Sequence, residues 1–189
     1  MSVAAAVRKR RTIAIAADTQ ENFGDRKMLR GHHHASKILR VGSSYVAQSG
    51  WGIYENILGD HLAKSPTPRL RNEREIFMFF NRFWRELRRK YSYVNDQPDE
   101  DDKTPFAELD ATFLIVNASG IFHVSGNMSV TAFDRYYAIG SGASYALGAM
   151  HALYETDLLA DEISRRACTA ATEFDIYCGG ELDNHVVRL

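Results

Sequence analysis

The chain has 189 residues, the length of one domain, and 45% of it is hydrophobic, enough to bury a core. Twenty-three Lys and Arg against 24 Asp and Glu leave a formal net charge of −1, which excludes the strongly basic face of a dedicated nucleic-acid binder. Cys168 and Cys178 are too few for a disulfide framework, no apolar run approaches the roughly 20 residues of a membrane span, and the apolar start precedes the basic residues 8–11, the reverse of a secretory signal. The expectation is one soluble, cytoplasmic domain spanning residues 1–189.

Residues 3–7 and 12–17 read as two short apolar strands joined by a charged turn, the second stopping at Asp18. Residues 19–36 are polar with scattered Gly and read as a loop. Residues 37–41 and 45–49, separated by Gly42-Ser43-Ser44, predict a hairpin. After Gly50 the period changes. Trp51, Tyr54, Leu58 and Leu62 fall at helical spacing, ending before Ser65-Pro66. A longer helix over 72–91 carries Ile76, Phe80, Phe83, Trp84 and Leu87 on one face and Arg82, Arg85, Arg88 and Arg89 on a solvated one. The acidic stretch 96–103 has no Gly at an EF-hand position and reads as exposed, not calcium-binding. Strands are predicted at 112–116, 121–124 and 136–139, helices at 144–156 and 160–174, and a last strand at 185–189 after Gly179-Gly180. Strands, two helices, strands, two helices, strand: this order fits two packed antiparallel sheets with a helix pair outside each.

No GxGxxG, P-loop, HExxH or GxSxG is present. Gly140-Ser141-Gly142, between a strand and a helix, leaves two readings open: a phosphate nest, or a structural turn that brings a hydroxyl to a helix N-terminus. The nest lacks the further Gly and Lys that would strengthen it. His32-His33-His34 are consecutive and cannot easily face one ion, so no metal is expected. Nothing marks a Ser-His-Asp triad. The informative residue is Ser2. Removal of Met1 would leave a hydroxyl nucleophile and an α-amine of pKa about 8, able to serve as its own general base.

Ser2-Val3 with Asp18, Lys37, Gly50, Ser141-Gly142 and Asp175-Ile176-Tyr177-Cys178-Gly179-Gly180 resembles the active-site set of proteasome β-type subunits. Ala16-Ala17-Asp18-Thr19-Gln20 and Ala138-Ile139-Gly140-Ser141-Gly142-Ala143-Ser144-Tyr145-Ala146-Leu147 are similar to the A-G-D-G-Q and A-I-G-S-G-G-P-Y-A-L of HslV, the bacterial proteasome-like peptidase. Residues 156–163 continue the match, and 66–105 diverge most. Because Cys178 stands in a D-x-x-S-G-G pattern typical of proteasome β subunits, the mixture resembles the bacterial proteasome homologue (BPH) branch.

The resemblance implies an α+β class, four-layer αββα sandwich of the N-terminal-nucleophile (Ntn) hydrolases. It implies a homo-oligomeric double ring, two rings of seven favoured over rings of six, enclosing a chamber for peptide or unfolded-protein substrates. An unfolding ATPase of unidentified kind is the implied partner, with no cofactor, no nucleic acid and no membrane. Ser2 would attack the scissile carbonyl, its amine taking the proton. Lys37 would hold down the amine's pKa, Asp18 would fix Lys37, and the Gly50 N–H would donate to the oxyanion. Ser141 and Asp175 would orient the amine, with Cys178 in support. By family position Glu21, Ala35 and Gln48 would border the pocket for the residue before the cut, implying a polar or basic preference.

Three departures accompany the resemblance. The nucleophile is Ser where these families mostly use Thr, which predicts slower turnover because the rotamer-restricting methyl is missing. About three extra residues lie between Met28 and Lys37. No propeptide is evident, so trimming of Met1 would suffice for activation. A chain retaining Met1 would instead be a ring-forming scaffold or pseudo-enzyme.

Overall fold

In the first two strands, alternate side chains serve two different cores. The computed structural model describes residues 2–28, 36–64, 67–91 and 108–189. On β1 (Val3–Lys9), Val3, Ala5 and Val7 point one way and Ala4 and Ala6 the other. On β2 (Thr12–Asp18), Ala14 and Ala16 join the first set while Ile13, Ile15 and Ala17 join the second. A strand buried on both faces needs a layer on each side, and the apolar run supplies both.

The chain continues through a short hairpin, β3 (Glu21–Phe23) and β4 (Arg26–Met28), then β5 (Ile38–Val41) and β6 (Ser44–Gly50). Helices α1 (Ile53–Lys64) and α2 (Glu73–Lys90) follow, then β7 (Ala111–Asn117), β8 (Gly120–Val124), β9 (Val130–Phe133) and β10 (Tyr136–Gly140). Helices α3 (Ala143–Leu153) and α4 (Ala160–Phe174) precede the last strand, β11 (Leu182–Arg188). One sheet runs β10-β1-β2-β11 and the other β5-β6-β7-β8-β9, all antiparallel.

Ala4, Ile15, Ala47, Leu114, Val116 and Ile139 fill the space between the sheets. α3 and α4 cover the outer face of the first sheet through Ala146, Met150, Ile163 and Ala167. α1 and α2 cover the second through Tyr54, Leu58, Phe80 and Phe83, which meet Phe113 and Ile115 of β7. The architecture is the four-layer αββα sandwich of the α+β class. The Asn72 side chain caps α2 by accepting from the Glu75 N–H at 2.9 Å.

Four expectations are corrected. Residues 21–28 are a β-hairpin, not loop, turned at Gly24 with φ +62°. Trp51 lies outside α1 and is 66% exposed, while Ile57 and His61 take the buried positions. The edge strand β9 went unpredicted. β11 begins at Leu182, three residues earlier than its apolar end suggests, because its first half pairs with Asp18–Ile15 of β2. His32 to His34 and the acidic stretch 96–103 lie outside the described residues.

Candidate active site

β1 is the second strand of its sheet, between β10 and β2, so the residue just before it sits where three strand ends and one helix start converge. That residue is Ser2, 3% exposed. Asp18, the last residue of β2, is fully buried beside it and accepts three hydrogen bonds. Oδ1 takes the Val3 N–H at 2.9 Å and the Lys37 ammonium at 2.8 Å, and Oδ2 takes the Gly179 N–H at 3.0 Å. A buried carboxylate is stable only when paired and hydrogen-bonded, and Asp18 is both. It thereby fixes Lys37, the start of β1 and the 175–180 turn around one point.

That turn is held a second time. The Thr19 and Gln20 N–H groups donate to the Gly179 carbonyl at 3.2 and 2.9 Å, and the Gln20 and Asn22 side chains donate to the Ile176 and Tyr177 carbonyls at 3.0 and 2.9 Å. Within the turn, Asp175 accepts from the Tyr177 N–H at 2.9 Å and from the Cys178 thiol at 3.4 Å. Burial alone would raise the Asp175 carboxyl, but hydrogen bonds from Ser141, Tyr177 and Cys178 outweigh it and hold the group below its ordinary value. The Cys178 thiol is pushed up to about 12, first by burial and then by the Asp18 and Asp175 carboxylates, so it stays protonated. Its Sγ lies 3.9 Å from Ser141 Oγ, and Ser141 Oγ makes a long 3.5 Å contact to the Ser2 carbonyl oxygen.

Gly140-Ser141-Gly142 is the structural turn, not a site apart from this cluster. At Gly140, φ is +97° and an added Cβ would sit 2.0 Å from the Ser2 carbonyl oxygen. At Gly50, φ is +132° and a Cβ would sit 2.2 Å from the Asp110 carbonyl oxygen. Both positions therefore require glycine.

A cavity of about 800 Å³ opens over Ser2, lined among others by Lys37, Gly50, Glu21, Gln48, Trp51 and Glu55. Burial raises the Glu55 carboxyl above its ordinary value, the Glu21 carboxylate adds to this, and the Lys37 ammonium opposes it. Ser2, Asp18, Lys37, Gly50, Ser141, Asp175 and Cys178 are thus brought together, and Glu21 and Gln48 line the cavity. Ala35 lies outside the described residues. Sequence reasoning missed Glu55 and Ser49. The Ser49 hydroxyl, 8% exposed as a residue, is 3.1 Å from Ser2 Oγ. Its available signal was period two: Ala47 faces the inter-sheet layer, so Ser49 does too.

The chain aligns with the solved BPH of Thiobacillus denitrificans in complex with epoxomicin at a TM-score of 0.90 and 35% identity, covering 99% of this chain and 98% of that one. The chain belongs to the HslV-like proteasome β-type family. A second T. denitrificans BPH structure gives 0.88 and 34%, covering the same 99% and 98%. This places the chain in the BPH branch. The HslV of Trypanosoma brucei gives a TM-score of 0.67 at 22% identity over 99% of both chains, a likeness of fold alone. Among curated proteins, the ATP-dependent protease subunit HslV of Caulobacter sp. (strain K31) is 41% identical over 80 residues, 39% of this chain and 43% of that protein. The chain thus matches less than half the length of that curated relative. No family model matches. Among the described residues, no helix is long and apolar enough to cross a membrane.

Proposed function

We propose that this BPH-branch chain is a self-compartmentalising peptidase of the N-terminal-nucleophile type, with Ser2 as nucleophile after removal of Met1. The observation that carries the reading is a buried Ser2 hydroxyl on the floor of an open cavity, next to the Asp18–Lys37 pair and Gly50. Ser2 Oγ attacks the scissile carbonyl carbon as the free Ser2 amine accepts the hydroxyl proton. Lys37, a fixed cation at the cavity wall, favours the developing alkoxide. The Gly50 N–H donates to the oxyanion, a contribution of about 3 kcal/mol for one such donor in other enzymes. The ammonium then returns its proton to the leaving amine, the C–N bond breaks, and an ester on Ser2 remains. A water activated by the same amine hydrolyses the ester and frees Ser2. Asp175 and Ser141 orient the amine, and Cys178 supports them with a weaker donor than a hydroxyl.

Glu21, Gln48 and Glu55 give the cavity two carboxylates and an amide, which favours a basic side chain before the cut. Family likeness to HslV and BPH supports a homo-oligomeric ring, two rings of seven in the first instance and rings of six as the alternative. It also supports feeding by an unfolding ATPase in the cytoplasm. The T. denitrificans relative was solved with epoxomicin, and we take the cavity over Ser2 as the place where this chain would hold that compound.

Intact-mass measurement comes first: loss of one Met is expected. Fluorogenic peptides with basic residues should then be hydrolysed by the parent and not by Ser2→Ala. Retention of Met1, or no hydrolysis by a trimmed and assembled ring, would identify a scaffold instead.

A further inference from the structure

We infer that Ser49 is a positioning residue that holds the Ser2 hydroxyl in one rotamer, taking the place of the methyl that a threonine nucleophile would carry. The inference rests on Ser2 being the nucleophile. A serine has three staggered χ1 wells with little to separate them, whereas β-branching restricts the choice. Here the missing restraint is supplied from another sheet. Ser2 lies at the head of β1, and Ser49 lies near the end of β6 on the face shared with Ala47, pointing across the inter-sheet layer. Their hydroxyl oxygens are 3.1 Å apart, within hydrogen-bond range, and both residues are buried.

The space between them is built. An added Cβ on Gly140 would lie 3.1 Å from Ser49 Oγ as well as 2.0 Å from the Ser2 carbonyl oxygen, so the glycine leaves room for the Ser49 hydroxyl. Ser49 is followed by Gly50, whose φ of +132° suits glycine and whose missing Cβ lets it lie against the Asp110 carbonyl. The restraint on the nucleophile and the proposed oxyanion donor therefore sit on consecutive residues of one strand end. Any movement of that strand end shifts both together, which keeps the attacking oxygen in register with the oxyanion donor. A one-rotamer nucleophile is a near-attack geometry prepared before substrate arrives, so the benefit appears in kcat and not in KM.

The test compares Ser49→Ala, Ser49→Thr, Ser2→Thr and the double variant Ser2→Thr with Ser49→Ala on a fluorogenic peptide. Ser49→Ala should lower kcat about 5-fold, the equivalent of one neutral hydrogen bond of about 1 kcal/mol, with KM within about twofold. Ser49→Thr should recover most of the loss. In the Ser2→Thr background the same Ser49→Ala change should cost less than about twofold, because the methyl then limits the rotamer. An equal penalty in both backgrounds, or a raised KM at unchanged kcat, overturns the inference. Crystal structures of the trimmed parent and Ser49→Ala decide it independently of turnover. One Ser2 conformer in the parent and two or more in the variant support it; one identical conformer in both overturns it. If the parent cleaves nothing, the nucleophile reading fails, and the conformer comparison still judges the role of Ser49.

Discussion

Asp18→Asn is the sharpest perturbation of the network. The carboxylate accepts three hydrogen bonds on two oxygens, with Val3 N–H and Lys37 on Oδ1 and Gly179 N–H on Oδ2. An asparagine has one acceptor oxygen, and its better orientation keeps the two donors at Oδ1. Its NH2 then faces the Gly179 N–H, leaving a buried donor unsatisfied at a cost of about 1–3 kcal/mol. The Lys37 ammonium, whose side chain is 12% exposed, also loses its counter-charge. Removing one member of a buried pair costs about 3–5 kcal/mol, and part of that penalty is already the unmet donor. The expected total is about 4 kcal/mol, or roughly 8–16 °C in melting temperature for a domain of this size. Differential scanning fluorimetry and urea unfolding on the same oligomeric state measure it. Peptide hydrolysis should fall at least about 100-fold, because Lys37 and the 175–180 turn both lose their anchor. A variant within about 1 kcal/mol of the parent would refute Asp18 as a buried ionic hub.

Glu55→Gln should stabilise the protein near neutral pH. A carboxyl raised in the fold contributes stability below its ordinary value of 4.5 that is lost as pH rises through the raised value, so chemical unfolding at pH 7 should favour the variant and the difference should vanish below pH 4. In the parent, KM for peptides with Lys or Arg before the cut should rise as pH falls through that raised value, and in Glu55→Gln this dependence should flatten. Iodoacetamide at pH 8 should leave both cysteines unmodified in the native protein and alkylate both in urea, since burial pushes the Cys178 thiol up to about 12 and raises the Cys168 thiol too. Gly140→Ala should abolish hydrolysis while leaving the sandwich folded, because the new Cβ must displace the Ser2 carbonyl. Circular dichroism alongside the activity assay distinguishes this from global unfolding, and retained activity would contradict the close approach.

The elements that were legible are those whose signal is local. β1, β2 and β7 alternate or run apolar over several residues, and α2 shows a 3.6-residue stripe with Asn72 capping it. The hairpin of β3 and β4 has three residues per strand, largely polar and exposed, so no apolar period exists to read. β9 is an edge strand with little burial, and its pairing with β8 is dictated by the sheet, not by its own composition. At the site, Ser2 stood out by its own chemistry and Asp18, Lys37, Gly50, Ser141, Asp175 and Cys178 came from motif likeness, while their mutual contacts are tertiary. Ser49 and Glu55 carry no motif. Which way Ser49 faces follows from its alternation with Ala47 once β6 is set between β5 and β7, and Glu55 reaches the cavity only because α1 starts at Ile53.

Where the structure gives up stability bears on the choice between the proposed Ser2 enzyme and a scaffold built on the same frame. The three bonds to Asp18 would serve either, since both need β1 held in register. Gly140 and Gly50 are different: each holds a positive φ that excludes a side chain, and a glycine gives up more backbone freedom on folding than any other residue. Ser2 and Ser49 bring two hydroxyls into a buried layer where two alanines would leave no polar group to satisfy. Ser2 and Gly50 line one cavity together with Lys37, and Ser49 and Gly140 lie against Ser2. A scaffold gains nothing from concentrating these costs at residue 2. The proposed nucleophile would, because Gly140 leaves room for the Ser49 hydroxyl that fixes the attacking oxygen. Alanine at residues 2 and 49 together should therefore raise stability modestly while removing hydrolysis, and a loss of stability instead would show the hydroxyl pair to be a structural bond first.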